Sequence, residues 1–194
     1  MIYTLKIQKA IRFAIKTHEV YQKQKRKGKD IPYIIHPLSV GLILARAGAS
    51  EDVIIAGILH DTVEDSVKEK KPFIPERIEE RFGKDVLNLV LSVTEKNKDL
   101  PWEERKAIAI KHIESFNEGS IMIKSADIIS NFTEIYYDFK NDGDKIFDRF
   151  NAGKEKVLEN YKNVIKALII KWDKNPFLED LKDLLDLSFE VNNL

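Results

Sequence analysis

Three features of the sequence predict an all-α protein, folded as a compact helical bundle. Apolar residues recur at helical spacing through most of the chain, helix caps and breakers bracket those segments, and no convincing run of apolar and polar residues alternates as a strand would. The chain has 194 residues, enough for one domain with a small appendage. A domain of that size buries roughly 70% of the surface its unfolded chain exposes, so its core can hold a polar pocket.

The first helix is expected over Tyr3 to Tyr21, with Leu5, Ile7, Ala10, Ile11, Phe13, Ala14 and Ile15 close to helical periodicity. Lys23 to Asp30 is too charged to pack, and Pro32 biases Ile31 to Ile35 towards an extended strap. His36-Pro37 opens a second helix, with Pro37 in the first turn where its missing N–H does no harm, and Gly48 ends it. Ser50 can cap a third, which runs to Ser66 with Glu51 and Asp52 in its first turn.

A polar loop is expected from Lys68 to Pro75, a short helix from Pro75 to Phe82 closed by Gly83, and another helix through Val86 to Val93 up to a loop at Asn97. Pro101-Trp102 starts the next, which continues to about Phe116, and Glu118 to Phe139 is helical again. After the turn Asn141-Asp142-Gly143 one long amphipathic segment is expected to reach Trp172, and Pro176 begins a final helix to about Phe189. Residues 1–150 read as the working domain. Residues 151–194 either complete it or form an oligomer surface, for which Trp172, Leu181, Leu184 and Leu185 suit both roles.

Lys plus Arg and Asp plus Glu are each 32, so no overall basic field speaks for nucleic acid. The N-terminus lacks an apolar core of signal length and no segment approaches a membrane span, so a cytoplasmic protein is expected. Cysteine is absent, which removes disulfides and thiolate metal sites; a bound metal would need His, Asp or Glu, with only His18, His36, His60 and His112 as imidazoles.

Chemistry concentrates where the third helix ends. His60 and Asp61 are adjacent, and Glu64 and Asp65 follow Asp61 by three and four residues, which sets the three carboxylates along one side. Like charges beside the apolar run Val53 to Leu59 cost several kcal/mol unless a cation offsets them. A divalent metal would do so, with a remaining carboxylate to move protons. Taken alone, the pair reads equally as a helix end entering solvent.

Two further polar residues stand in apolar company. His36 lies between Ile34-Ile35 and the second helix, where it could also be an N-cap or a structural histidine. Asp127 sits at mid-helix between Ile121-Met122-Ile123 and Ile128-Ile129, where the alternative to a metal is a salt bridge, for instance to Lys124. His36, His60, Asp61 and Asp127 together offer two imidazoles and two carboxylates from three helices. That set suits manganese, iron, cobalt or zinc better than magnesium.

These blocks resemble the HD-domain metal-dependent phosphohydrolases, and within them the alarmone hydrolases of the RelA/SpoT-homologue group. The matching text is Lys25-Arg26-Lys27-Gly28 with Ile31 to Pro37, Leu59 to Asp65, Arg81-Phe82-Gly83, Val93-Thr94-Glu95, Arg105-Lys106, and Lys124 to Asn131. It covers Thr17 to about Tyr136, and nothing beyond Ile146 resembles the synthetase half of the long bifunctional members. A small stand-alone hydrolase is expected. Ser125 and Ser130 stand where larger residues are common in that family, and Glu134 where a hydroxyl-bearing residue is usual.

The resemblance implies removal of the 3′-pyrophosphate from ppGpp or pppGpp, giving GDP or GTP, with manganese as the usual cofactor. It implies His36, His60, Asp61 and Asp127 as metal ligands, Glu64 and Asp65 as the groups that position and deprotonate water, and Asn131 as a substrate contact. Such a polyanion needs converging bases. Arg26 could stack on a purine while Lys27 meets phosphate, and Arg105 with Lys106 makes a second clamp. The competing readings are an HD phosphohydrolase for a dNTP, a nucleoside monophosphate or NADPH, and a non-catalytic alarmone-binding module. A small-molecule nucleotide is the expected partner, with neither nucleic acid nor membrane, and a homodimer is the oligomer the last helices would serve.

Overall fold

The computed structural model of the chain describes residues 3–66, 74–95 and 99–193, with the side chains of residues 65, 66 and 193 outside the description. Nine α-helices are described: α1 (Leu5–Ile15), α2 (Ile35–Arg46), α3 (Glu51–Ser66), α4 (Ile74–Phe82), α5 (Lys84–Val93), α6 (Trp102–His112), α7 (Glu118–Asp142), α8 (Lys154–Lys171) and α9 (Leu178–Asn193). Among the described residues the extended backbone pairs only at one antiparallel bridge, Lys25 with Pro32.

Helix α3 is the axis of the bundle. Val53 to Leu59 are buried without interruption, and α1, α2, α4, α5 and α7 all pack against it. A helix apolar on every side must be surrounded in this way. Its start follows the sequence, since the Ser50 hydroxyl accepts the Val53 N–H at 3.4 Å. Crossing of α2 over α3 depends on two missing side chains. A Cβ on Gly57 would come within 2.3 Å of Leu44 Cδ1, and one on Gly41 within 2.6 Å of Ile58 Cγ1. The close approach brings the start of α2 to the end of α3, where the polar residues sit.

Helix α7 forms the opposite wall. Asn117 caps it by accepting the Ser120 N–H at 2.8 Å, and Gly143 stops it at φ +64, a conformation that costs a side-chain-bearing residue energy. It packs on α2, α3 and α5, and α8 and α9 pack on it in turn.

Two expectations are corrected. The first helix does not continue regularly to Tyr21: Lys16–Tyr21 is a π-helical turn. Thr17 Oγ1 donates to the Phe13 carbonyl at 2.9 Å, and buried His18 turns Nδ1 towards Gln22 and Gln24 at 3.1 and 2.9 Å. Such side-chain competition with the helical ladder widens a turn. The segment expected to run unbroken to Trp172 is likewise divided. Gly143–Arg149 is a 3₁₀ stretch that buries Ile146 and Phe147 against α7, and the chain changes direction through exposed Asn151 and Gly153 before α8 begins. The loop expected from Lys68 lies outside the described residues up to position 73, as does the turn at Asn97.

Candidate active site

Two imidazoles and two carboxylates meet between α2, α3 and α7. His36 Nε2 lies 3.2 Å from Asp127 Oδ1 and 3.7 Å from Asp61 Oδ2, and His60 Nε2 lies 3.1 Å from Asp61 Oδ2 and 3.9 Å from Asp127 Oδ1. One ligand atom each from His36, His60 and Asp127 fits within 4.8 Å of the others, and all three residues are buried. Nitrogen and oxygen donors at this density and depth could hold a metal ion.

Each imidazole is oriented from behind. The Nδ1–H of His60 donates to the Gly57 carbonyl at 2.8 Å, and Nδ1 of His36 meets the Ser130 hydroxyl at 3.0 Å. Both rings thereby direct Nε2 into the cluster. Each carboxylate is held too. The Tyr33 hydroxyl donates to Asp61 Oδ2. Asp127 accepts from Lys124 Nζ at 2.7 Å through Oδ2 and from Asn131 Nδ2 at 2.6 Å through Oδ1.

The electrostatics follow from this crowding. Burial opposes charge on His60, yet Asp61 and then Asp127 outweigh it and push the imidazole up to about 9. Burial likewise opposes the charge on Asp61, but His60 and His36 hold it well below the usual carboxylate range. Asp127 is depressed against its own burial by Lys124, His36 and His60, and Lys124 is raised despite burial by Asp127. Anionic carboxylates around a buried point favour a cation there, whether a proton on imidazole or a metal ion.

Beside the cluster opens a cavity of about 440 Å³. His60, Asp61, Glu64 and Asp127 line one part, Lys27, Arg105 and Lys106 others, and Val157, Asn160, Tyr161 and Val164 on α8 form a further wall. Glu64 is oriented by the Glu95 N–H, which it accepts at 3.2 Å. Burial, then neighbouring Lys106 and Arg149, lowers the Lys27 ammonium, as like charges nearby do.

Of the residues singled out in the sequence, His36, His60, Asp61 and Asp127 come together; Glu64, Lys27, Arg105, Lys106 and Asn131 line the cavity. The side chain of Asp65 lies outside the described residues. Arg26 is not on the cavity wall. Its guanidinium is spent on Glu134 at 2.6 Å and Asn131 at 2.7 Å, and its side chain is only 11% exposed. The ion pair with Glu134 keeps it raised against burial. Arg105 and Lys106 both meet Glu95, the latter at 2.6 Å.

Lys124, one turn before Asp127, is the i,i+3 partner that the sequence offered for a buried acid. Sequence reasoning passed over the supporting contacts of Ser130 to His36 and of the Glu95 N–H to Glu64, because these partners are distant along the chain.

Residues 10–116 match the HD domain family. The chain is 37% identical over 131 residues to guanosine-3′,5′-bis(diphosphate) 3′-pyrophosphohydrolase MESH1 of Xenopus tropicalis, covering 66% of this chain and 69% of that protein. It is 47% identical over 92 residues to the guanosine-3′,5′-bis(diphosphate) 3′-pyrophosphohydrolase of Aquifex aeolicus, of whose length it spans 12%. Among solved structures, a metazoan orthologue of SpoT described as hydrolysing ppGpp superposes with a TM-score of 0.72 at 26% identity, over 97% of this chain and 96% of that one. Sequence, fold and the clustered donors agree, and the chain belongs to the HD-domain hydrolases, in the group that includes the MESH1 pyrophosphohydrolases.

Proposed function

We propose that the protein hydrolyses the 3′-pyrophosphate of ppGpp and pppGpp, releasing pyrophosphate and GDP or GTP, with manganese as its cation. The observation that carries this reading is the meeting of His36, His60, Asp61 and Asp127, donors remote along the chain, beside a cavity that also presents Glu64 and three basic side chains.

In this reading His36, His60, Asp61 and Asp127 hold the cation, a set as suited to iron, cobalt or zinc as to manganese. A bound divalent ion supplies a Lewis acid for a phosphoryl oxygen and brings the pKa of water towards neutrality. Glu64, one helical turn beyond Asp61 and held by the Glu95 N–H, takes the proton of the attacking water. Asp65 is assigned a share in that task. Water adds to the phosphorus nearest the ribose, the O3′–P bond breaks, and the ribose 3′-oxygen takes up a proton. Lys27, Arg105 and Lys106 neutralise the phosphates. Asn131 acts one step back, through its hydrogen bond to Asp127, and Arg26 one step further, through Asn131.

Residues 151–194 belong to the same working unit in this reading, because α8 supplies a wall of the cavity. Among the described residues no helix is long and apolar enough to cross a membrane. The cytoplasm is the compartment this reading assigns, on the ground of the nucleotide substrate alone.

The test supplies Mn²⁺ to the purified protein and offers ppGpp, dNTPs, NADPH and nucleoside monophosphates, separating released pyrophosphate from phosphate. Pyrophosphate from ppGpp alone is expected. Asp127→Ala should lose both metal and turnover, and Glu64→Ala should keep metal and lose turnover. A metal-free Asp127→Ala protein with full activity would refute the assignment.

A further inference from the structure

Four carboxylates line the cavity, and the hydrolytic reading gives work to three of them, Asp61, Glu64 and Asp127. The fourth is Glu95. Its Oε1 accepts from Arg105 Nη1, and its Oε2 accepts from Lys106 Nζ at 2.6 Å, so a single side chain bridges the two cations expected to clamp phosphate. These pairs are not sealed in the core. The Glu95 side chain is 15% exposed, Arg105 21% and Lys106 28%, and all three residues line the cavity.

Burial opposes charge on Glu95, but Lys106 and then Arg105 hold its carboxyl below the ordinary 4.5, so it is ionised at neutral pH. A phosphate seeks the same charged N–H donors. On reaching Arg105 and Lys106 it either takes the place of the carboxylate or settles beside a like charge, and both cost affinity. The resident group competes well, because tethering to the chain gives it an effective concentration of about millimolar or above.

We propose that Glu95 is a built-in competitor for the phosphate clamp: it holds Arg105 and Lys106 between turnovers, yields them to the phosphates of the substrate, and returns to expel the pyrophosphate product. The proposal rests on the hydrolase reading above and adds a release step to it. On its return one anion replaces another on the same two cations, so a multiply charged product leaves without stripping them bare. Binding that holds substrate and product phosphates equally tightly adds nothing to turnover, and slow release limits it. Glu95 also gives its backbone N–H to Glu64 at 3.2 Å, so the test alters the side chain and spares the backbone.

A purely structural role has the opposite sign. If Glu95 only props Arg105 and Lys106 in place, neutralising it weakens phosphate binding; if it competes, neutralising it tightens that binding. Calorimetric titration of the full chain with inorganic pyrophosphate, at matched free Mn²⁺, reads the sign. Glu95→Gln should bind pyrophosphate about tenfold more tightly than wild type, and Glu95→Ser, which removes the charge with a different shape, should move the same way. The stoichiometry reports the folded fraction, so partial misfolding does not imitate tighter binding. Under turnover, Glu95→Gln should show a lowered KM for ppGpp and stronger product inhibition by pyrophosphate. Unchanged or weakened affinity in both neutral variants overturns the proposal, and a wild type that still releases pyrophosphate from ppGpp leaves the hydrolase reading intact. A wild type that binds pyrophosphate without hydrolysing ppGpp overturns the hydrolase reading instead, and the direction of the shift in the variants still decides whether Glu95 competes.

Discussion

Asn131 donates to Oδ1 of Asp127 at 2.6 Å, and that same oxygen lies 3.2 Å from His36 Nε2. The amide is thus a support of the cluster, and its own Oδ1 is occupied by Arg26 at 2.7 Å. Sequence resemblance assigns Asn131 to the substrate, but both of its polar atoms already face the protein. Groups that orient a metal ligand typically matter about 10–100-fold for affinity or activity. Asn131→Ala is expected to weaken Mn²⁺ binding about tenfold, measured by calorimetric titration in the absence of nucleotide. Unaltered Mn²⁺ affinity with a raised KM for ppGpp would return Asn131 to the substrate side.

The Gly57 backbone has two duties: its carbonyl fixes His60, and its missing side chain lets α2 cross close by. An added methyl meets Leu44 Cδ1 at 2.3 Å and Val40 Cγ1 at 3.2 Å, and both partners are fully buried. Overpacking of this kind costs about 1–3 kcal/mol, more than the roughly 1 kcal/mol that alanine gains over glycine in a helix. Gly57→Ala should be destabilised by about 1–2 kcal/mol in urea unfolding, and should bind Mn²⁺ more weakly because His36 and His60 are moved apart. Combining it with Leu44→Ala should recover part of the metal affinity; strict additivity would show that crowding at this crossing is not the cause.

Glu134 joins Arg26, 2.6 Å away, to Lys29, also 2.6 Å away, and Lys29 continues to Asp138 and so to Arg149. Burial raises the Glu134 carboxyl, but its hydrogen bonds to Arg26 and Lys29 outweigh that and hold it below its ordinary 4.5. A depressed acid stabilises the fold at pH values above 4.5 and loses that contribution as pH falls through its lowered folded value. Glu134→Gln should therefore be less stable than wild type near neutrality, and the gap should close as pH drops below 4.5, read as urea midpoints along a pH series. A gap that persists undiminished in acid would mean that packing, and not the ion pairs, accounts for the loss.

Much of this protein could be read from local pattern. The cap at Ser50, the breaks near Gly48 and Gly143, and the buried run Val53 to Leu59 are properties of a few neighbouring residues and survive in the fold. The His60-Asp61 pair and the lone Asp127 in an apolar helix are conspicuous because a charge among isoleucines costs energy wherever the chain takes it. Sequence also carried the all-α class, since helical periodicity is local.

The side-chain partnerships were settled only in three dimensions. Arg26 and Lys27 are adjacent and equally basic, yet Glu134 on α7 draws Arg26 away from the cavity while Lys27 stays on its wall. The π-helical turn after Ile15 depends on a Thr17 hydroxyl choosing a carbonyl, a competition that periodicity does not register. The face of α8 that carries Val157, Tyr161 and Val164 has no motif, and it becomes a wall of the cavity only because α8 packs on α7. Periodicity reports which face of a helix is apolar. Which neighbour that face meets, and which polar atoms are left without partners, depends on contacts between residues tens of positions apart, and these exist only once the chain has packed.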